Sequence, residues 1–195
     1  MPITALIFIA NGTEEMEFTI AYDTLTRAGI KCTSAFVGEG HQSTPSPATA
    51  SCSRGVKIIA DTTLESVEKS SNFDVLIVPG GAKGAETMSK SKDVQDLIRS
   101  QYDAKRIVGM ICAGSLAALT SGLPSQPLTS HPSVTNQLDE KFEYRDDSVV
   151  VSGNLVTSRG PGTAFPFSLK IVEILLGKEK REEVVGPMVF PKGTI

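Results

Sequence analysis

The residues of this chain whose types and spacing can do chemistry gather around one cysteine. In Arg106-Ile107-Val108-Gly109-Met110-Ile111-Cys112-Ala113-Gly114-Ser115-Leu116-Ala117-Ala118-Leu119 a fully apolar or small run leads into an Ala/Leu-rich stretch, with Cys112 at the joint. The first part reads as a strand buried on both faces and the second as a helix. A side chain at such a strand-to-helix turn is expected to be pushed up and exposed, with the following amides aimed at whatever it attacks. The helix N-terminus favours negative charge, so the thiol is expected to ionise below its usual ~8.5. The alternative is a buried cysteine acting as a small hydrophobe. Gly109, Ala113 and Gly114 favour the nucleophile by leaving space around the sulfur.

Partners for a thiolate can be sought in the loops that follow strands, where open α/β sheets bind their ligands. Glu14, Glu15 and Glu17 open the first helix, and the helix dipole alone accounts for the first two. Glu17 differs, because Ile20, Ala21 and Thr24 follow at helical spacing and turn it towards the buried side. A half-buried carboxyl holds a proton near neutral pH and can pass it on; a solvated helix-start charge is the other reading. Gly80-Gly81 offers backbone amides for an oxyanion, paired with the Ala113 amide, or is an ordinary glycine turn. His131, fixed in an extended backbone by Pro132, is either a surface histidine or one that swings back to the cysteine. Arg54 is a surface charge or an anion partner of the site. Neither Gly80-Gly81-x-x-Gly84 nor Gly160-x-Gly162 completes a dinucleotide fingerprint, and no P-loop is present.

The elements needed to position these residues alternate in the manner of an α/β domain with a mostly parallel sheet. Strands are expected over residues 4–9, 31–37, 74–78 and 107–111, with a short edge strand over 56–60. Later strands are expected over 142–145, 148–152 and 155–158, the last two joined at Gly153-Asn154. Helices are expected over 14–28, capped by Thr13 and ended by Gly29, then over 64–69, 94–102 and 113–119. A final helix runs to Leu176 from the loop Arg159-Gly160-Pro161-Gly162-Thr163, with Pro166 tolerated in its first turn. The first helix should bury Met16, Ile20, Ala21, Leu25 and Ala28. Residues 38–53 read as a long surface loop.

At 195 residues one domain with its own core is expected. Three cysteines without framework or metal-ligand spacing suggest a reducing compartment and no metal. The absence of a basic leader or of an apolar run of ~18 residues predicts a soluble, non-secreted protein with an unused Asn11-Gly12-Thr13 sequon. A net charge of -3 with mixed signs and no tryptophan argues against nucleic acid as the main partner. Small-molecule chemistry is left.

Taken together, Asn11-Gly12-Thr13-Glu14-Glu15-Met16-Glu17, Arg27-Ala28-Gly29-Ile30, Cys52-Ser53-Arg54, Val78-Pro79-Gly80-Gly81, Ile111-Cys112-Ala113-Gly114, His131-Pro132 and Thr157-Ser158-Arg159-Gly160-Pro161-Gly162-Thr163 resemble the DJ-1/PfpI family, nearly end to end. This is the Parkinsonism-associated deglycase branch of the class I glutamine amidotransferase-like superfamily. The resemblance implies a flavodoxin-like three-layer sandwich with a nucleophile elbow. It makes Cys112 the oxidation-sensitive nucleophile, Glu17 the acid bonded to its sulfur, His131 the third catalytic position, and the Gly81 and Ala113 amides an oxyanion site. It also implies a homodimer through the first helix, with Met16 and Arg27 at matching positions, and residence in cytosol and nucleus.

Peptidase-like members carry a histidine directly after the nucleophile, and this chain has Ala113; the late His-x-Glu of glutaminases is absent, since His131 is followed by Pro132-Ser133. The expected activity is that of a cofactor-free, eukaryotic glyoxalase III, turning a 2-oxoaldehyde such as methylglyoxal into lactate. Deglycation of protein or nucleotide adducts is the alternative on the same residues, and a redox sensor or stress chaperone that oxidises Cys112 is a third. The stretch from His41 to Ala50 is longer than in the deglycase branch, so the rim of the site is expected to differ.

Overall fold

The structure is a computed structural model that describes residues 2–38, 48–67 and 72–195. Most of the 41–50 stretch therefore lies outside the described residues. In chain order the elements are β1 (Thr4–Ile9), α1 (Glu15–Arg27), β2 (Lys31–Phe36), β3 (Thr49–Ser51), β4 (Lys57–Ile59), β5 (Thr62–Thr63), β6 (Val75–Val78), α2 (Ala82–Lys90) and α3 (Lys92–Asp103). They continue with β7 (Ile107–Ile111), α4 (Leu116–Thr120), β8 (Pro127–Leu128), α5 (Thr135–Leu138), β9 (Glu143–Tyr144), β10 (Val149–Ser152), β11 (Leu155–Ser158), α6 (Ala164–Leu176) and α7 (Lys178–Met188).

Seven strands form one sheet in the order β10-β11-β7-β6-β1-β2-β5, every pairing parallel except β10 with β11. Apolar side chains fill both faces of β1, β6 and β7, as central parallel strands covered by helices require. Helices α1, α6 and α7 pack together on one face and α2, α3 and α4 on the other, giving the expected three layers. The order β2-β1-β6-β7-β11 is flavodoxin-like, and its direction reverses between β1 and β6. Ligands of such sheets bind at the carboxyl ends of the strands beside that reversal, which is where the loops carrying Glu17, Gly80 and Cys112 meet.

Several local expectations change. Glu14, not Thr13, caps α1, its carboxylate accepting from the Glu17 amide at 2.8 Å; the Thr13 hydroxyl instead accepts from Ala10 N–H at 2.9 Å. The buried face of α1 is Glu17, Phe18, Ala21, Thr24 and Leu25, while Met16 is 52% exposed. Ala21, Leu25 and Ala28 are buried as expected and Ile20 is half-buried, so only Met16 leaves the expected face, and Glu17 is drawn fully inside. Part of the expected 38–53 loop is β3, which pairs with β4 as an antiparallel hairpin separate from the main sheet. Residues 64–66 form only a 3-10 turn, and α2 and α7 arise where no helix was expected. Gly109 does not open space at the sulfur: a methyl there would sit 2.8–2.9 Å from Ile77, Ile171 and Phe167, so its role is to let α6 press onto β7. Gly114 likewise admits close approach, a methyl there falling 2.5 Å from the Val78 carbonyl oxygen.

Candidate active site

Cys112 follows β7 directly and takes a left-handed backbone, φ 62°, at the head of a 3-10 turn over Cys112–Ser115 that leads into α4. A non-glycine residue held in this region carries strain of roughly 1–3 kcal/mol, which surrounding packing must hold. The turn puts the thiol on the wall of a cleft of about 660 Å³, also lined by Glu14, Ser53, Arg54, Gly81, Ala113 and His131. The expected exposure is not seen, since Cys112 is only 8% exposed. It faces the cleft from a recess.

Glu17 closes the floor of that recess and is fully buried. Its Oε2 accepts the Gly80 amide at 2.7 Å, and the carboxyl shares a hydrogen bond with the Cys112 thiol. Its Oε1 is buried without a hydrogen-bond partner. Burial pushes the carboxyl up to about 7, with the Glu14 charge adding to the rise and the bonds from Cys112 and Gly80 opposing it.

The thiol moves opposite to the sequence expectation. Burial and the neighbouring Glu17 carboxylate push Cys112 up to about 12, although the amides of Ala113 and Gly81 donate to the sulfur and pull the other way. The helix-start effect is outweighed because the recess is dry and holds a second acid. Two such groups titrate as a pair, not singly. When the shared proton sits on Glu17, the sulfur loses the repulsive charge and gains a donor. The pair loses its first proton near 7, and with the thiol pushed up to about 12 that charge rests mainly on Glu17 beside a neutral thiol. A thiolate beside a neutral carboxylic acid is the less populated arrangement of the same charge, the one a nucleophilic attack draws on.

Gly80 makes this contact possible. A methyl group there would lie 2.6 Å from Cys112 Cβ, 2.7 Å from Glu17 Oε2 and 2.9 Å from the sulfur. Gly80→Ala is expected to force the two acids apart, lowering turnover at least about 100-fold because ångström-scale misplacement of reacting groups has that cost. Overpacking of about 1–3 kcal/mol should lower the melting temperature as well. Activity and thermal unfolding of the variant check both. Gly81 adopts φ 83°, and a methyl there would fall 2.2 Å from the Gly12 carbonyl oxygen. Only glycine presents its amide to the sulfur from this position.

His131 lines the same cleft as the thiol. Its Nδ1 accepts the Ser133 amide at 3.2 Å and lies 2.8 Å from the Ser133 hydroxyl. That pattern assigns the proton of the neutral ring to Nε2, leaving an N–H donor for a ligand. The loop is fixed from two sides: Ser115 Oγ donates to the Thr129 carbonyl at 2.9 Å, tying it to the cysteine turn, and Thr129 N–H donates to Thr157 on β11. Arg54 is exposed at the cleft wall, and no bond joins it to the sulfur.

Glu15 was assigned only a helix-start charge, yet it is 7% exposed and accepts from the Ser53 hydroxyl at 2.9 Å and the Arg54 amide at 2.8 Å. Burial raises its carboxyl, but its own amide and those donors outweigh that and hold it below the usual range. No sequence signal distinguished it from Glu14, because its partners come from a hairpin about 38 positions away. Among the described residues no three metal-ligating side chains converge, and no helix is long and apolar enough to cross a membrane.

A strained cysteine between the amides of Gly81 and Ala113, bonded to a buried glutamic acid at the carboxyl edge of a flavodoxin-like sheet, defines an α/β protein with a cysteine nucleophile. A model of the DJ-1/PfpI family matches residues 3–174, and the chain belongs to that family. It is 47% identical over 186 residues to Protein dj-1beta of Drosophila melanogaster, covering 94% of this chain and 95% of that protein. It is 37% identical over 195 residues to the glutathione-independent glyoxalase DJ-1 of Schizosaccharomyces pombe, covering 97% and 100%. The crystal structure of Drosophila DJ-1beta superposes with a TM-score of 0.90 at 44% identity, covering 98% of this chain and all of that one.

Proposed function

We propose that this protein is a glutathione-independent glyoxalase that converts methylglyoxal and related 2-oxoaldehydes to 2-hydroxy acids. The observation that carries the reading is the Glu17 carboxyl, buried, set at about 7 and bonded to the Cys112 thiol. One residue pair thereby supplies both a nucleophile and a base that changes protonation state near neutral pH. The fission-yeast relative named as a glutathione-independent glyoxalase aligns over its whole length and supports it.

In the thiolate form the sulfur attacks the aldehyde carbon, and Glu17 gives its proton to the resulting alkoxide, forming a hemithioacetal. Glu17, now a carboxylate, removes the hydrogen from that same carbon, and the electron pair moves onto the adjacent ketone to form an enediolate. The Gly81 and Ala113 amides and His131 Nε2–H stand on the cleft wall as donors to the charged oxygens; one well-aimed donor of this kind contributes roughly 3 kcal/mol. Glu17 returns its proton to the former ketone carbon while the hydroxyl proton of the aldehyde carbon passes to the neighbouring oxygen, giving a 2-hydroxyacyl thioester on Cys112, which water hydrolyses to the hydroxy acid and the free thiol. Every atom of the product comes from substrate and water. Deglycation of adducts would begin with the same attack. The deciding experiment is lactate formation from methylglyoxal by purified protein without added thiol, and absence of lactate in the reduced protein would overturn the reading.

We further propose a homodimer built on the outer face of α1 and the β3–β4 hairpin. Met16 on the helix and Val56 and Ile59 on the hairpin are exposed apolar side chains at 52%, 50% and 64%, and Ile59 flanks a hollow shared with Phe18, Thr19 and Tyr22 of α1. Light scattering is expected to give twice the chain mass for the natural sequence and the single-chain mass for Ile59→Asp. A monomer at micromolar concentration in the natural protein would refute this.

A further inference from the structure

The cleft is much larger than the substrate that the chemistry above requires. A five-heavy-atom 2-oxoaldehyde fills about the space of three waters, roughly 90 Å³ at ~30 Å³ each, against about 660 Å³. Where the surplus lies follows from α4, the helix that continues from the cysteine turn. Leu116, Leu119 and Thr120 line the cleft, at the spacing that puts side chains on one face of a helix. The other face carries Ala117 and Ala118, 1% and 0% exposed, into the core. The helix thus places its small side chains inside and leaves its two leucines half-buried on the cleft. An ordinary surface helix does the reverse and turns its large apolar residues to the core. From Cys112 to Leu119 this apolar floor advances about 10 Å at ~1.5 Å per residue.

The sides of the groove make no demand for a charged ligand. Val134, 7% exposed, and the exposed Gln137 come from the turn and helix that follow His131 and supply one side. Glu86 and Lys90 of α2 also line the cleft, but they are paired with each other at 2.5 Å, and that pairing holds the Glu86 carboxyl below its usual range. Helices α2 and α4 belong to the layer opposite α1, so a dimer on α1 and the β3–β4 hairpin leaves the groove open. An apolar floor that starts at the reacting sulfur, flanked by charges already neutralised, suits an uncharged hydrocarbon arm joined to the reacting group.

Resting on the glyoxalase reading, we propose that the Leu116 and Leu119 face of α4 is a subsite for the arm of the substrate, and that the preferred substrates are 2-oxoaldehydes with an uncharged apolar chain of several carbons on the ketone side. The aldehyde carbon meets Cys112, and the chain runs along α4 over Leu116 to Leu119. The arm takes no part in the proton transfers; it holds the dicarbonyl in the recess through the apolar area it removes from water.

The test is a chain-length series of methylglyoxal, 2-oxopentanal and 2-oxooctanal on the natural protein, Leu119→Gln and Gln137→Leu. A methylene half-buried in an open groove is worth about twofold, so kcat/KM is expected to rise about 30-fold from methylglyoxal to 2-oxooctanal. Leu119→Gln keeps the length of the side chain and removes its apolar end, and should cut the ratio of these two substrates about fivefold. Gln137→Leu should raise it about twofold. A ratio near one in the natural protein, or the same ratio in it and in Leu119→Gln, would overturn the subsite. If Leu119→Gln does not fold, Gln137→Leu, at an exposed position, decides, and an unchanged ratio there has the same force.

Alkylation of Cys112 separates this failure from failure of the glyoxalase reading, because it reads the groove without turnover. Rates for N-hexyl iodoacetamide and iodoacetamide are measured at Cys112, resolved from Cys32 and Cys52 by peptide mass, and divided by the rates of the same reagents with free cysteine. The hexyl reagent is expected to be favoured in the natural protein and to lose that advantage in Leu119→Gln. Such a preference upholds the subsite even if no lactate forms, and relative rates equal to those of free cysteine reject it.

Discussion

Cys112→Ser is expected to lower lactate formation from methylglyoxal by about 10³-fold or more, with little change in melting temperature. The size follows from what the recess does for sulfur and cannot do for oxygen. A serine hydroxyl is a weak nucleophile at its free pKa and needs an adjacent base strong enough to take its proton. Glu17, set at about 7, is too weak an acceptor for an alcohol, whose proton is held more tightly than that of the thiol it replaces. The hydroxyl keeps the left-handed backbone at φ 62° and occupies nearly the same volume, so the strained turn and the packing under α4 are retained. Loss of activity with the fold intact separates a nucleophile from a cysteine that only fills space. A variant with a tenth or more of natural turnover would remove Cys112 from the reaction.

The central strands and the cysteine at the end of β7 were legible because a doubly buried parallel strand is written as a continuous apolar run, and a sharp turn after it as small residues. The hairpin at Gly153-Asn154 and the helix ending at Leu176 were legible for similarly local reasons. What was not legible is set by contacts remote in sequence. The full burial of Glu17 depends on the Gly80 amide, 63 positions away, donating to its carboxylate, and a purely hydrophobic reading of the helix misplaced Met16, which faces outward. The role of Gly109 depends on α6 arriving from a later part of the chain. The direction of the thiol shift depends on a dry recess, which no local pattern encodes. Resemblance supplied the pairing of Glu17 with Cys112; composition and spacing alone left both residues open.

Glu17→Gln gives the second large effect, and its two readouts move in opposite directions. Glutamine keeps an oxygen to accept the Gly80 amide and nearly the same volume, but it can neither give a proton to the alkoxide nor take one from carbon. Turnover is expected to fall about 10²–10⁴-fold, the usual contribution of a positioned general acid–base. In the natural protein kcat/KM should rise with pH through about 7, as the pair loses its first proton and becomes monoanionic. In the variant that rise should move upward, because a lone buried thiol must then ionise without an acid to share its proton.

Stability should respond the other way. The Glu17 carboxyl is raised from 4.5 to about 7 on folding, so the unfolded chain releases this proton more readily than the folded one. Its contribution is fully present below the unfolded pKa and is lost as pH rises from 4.5 to about 7. Over that interval of about 2.5 units the loss approaches about 3 kcal/mol at 1.36 kcal/mol per unit. Glutamine has no proton to lose, so Glu17→Gln should melt several degrees higher than the natural protein at pH 8, and the two should converge near pH 4.5. Lost turnover with gained stability marks a group kept for reaction at the fold's expense. If Glu17→Gln instead retained turnover, or melted lower at pH 8 than at pH 4.5 relative to the natural protein, the buried acid would be structural and the proton path through it would have to be abandoned.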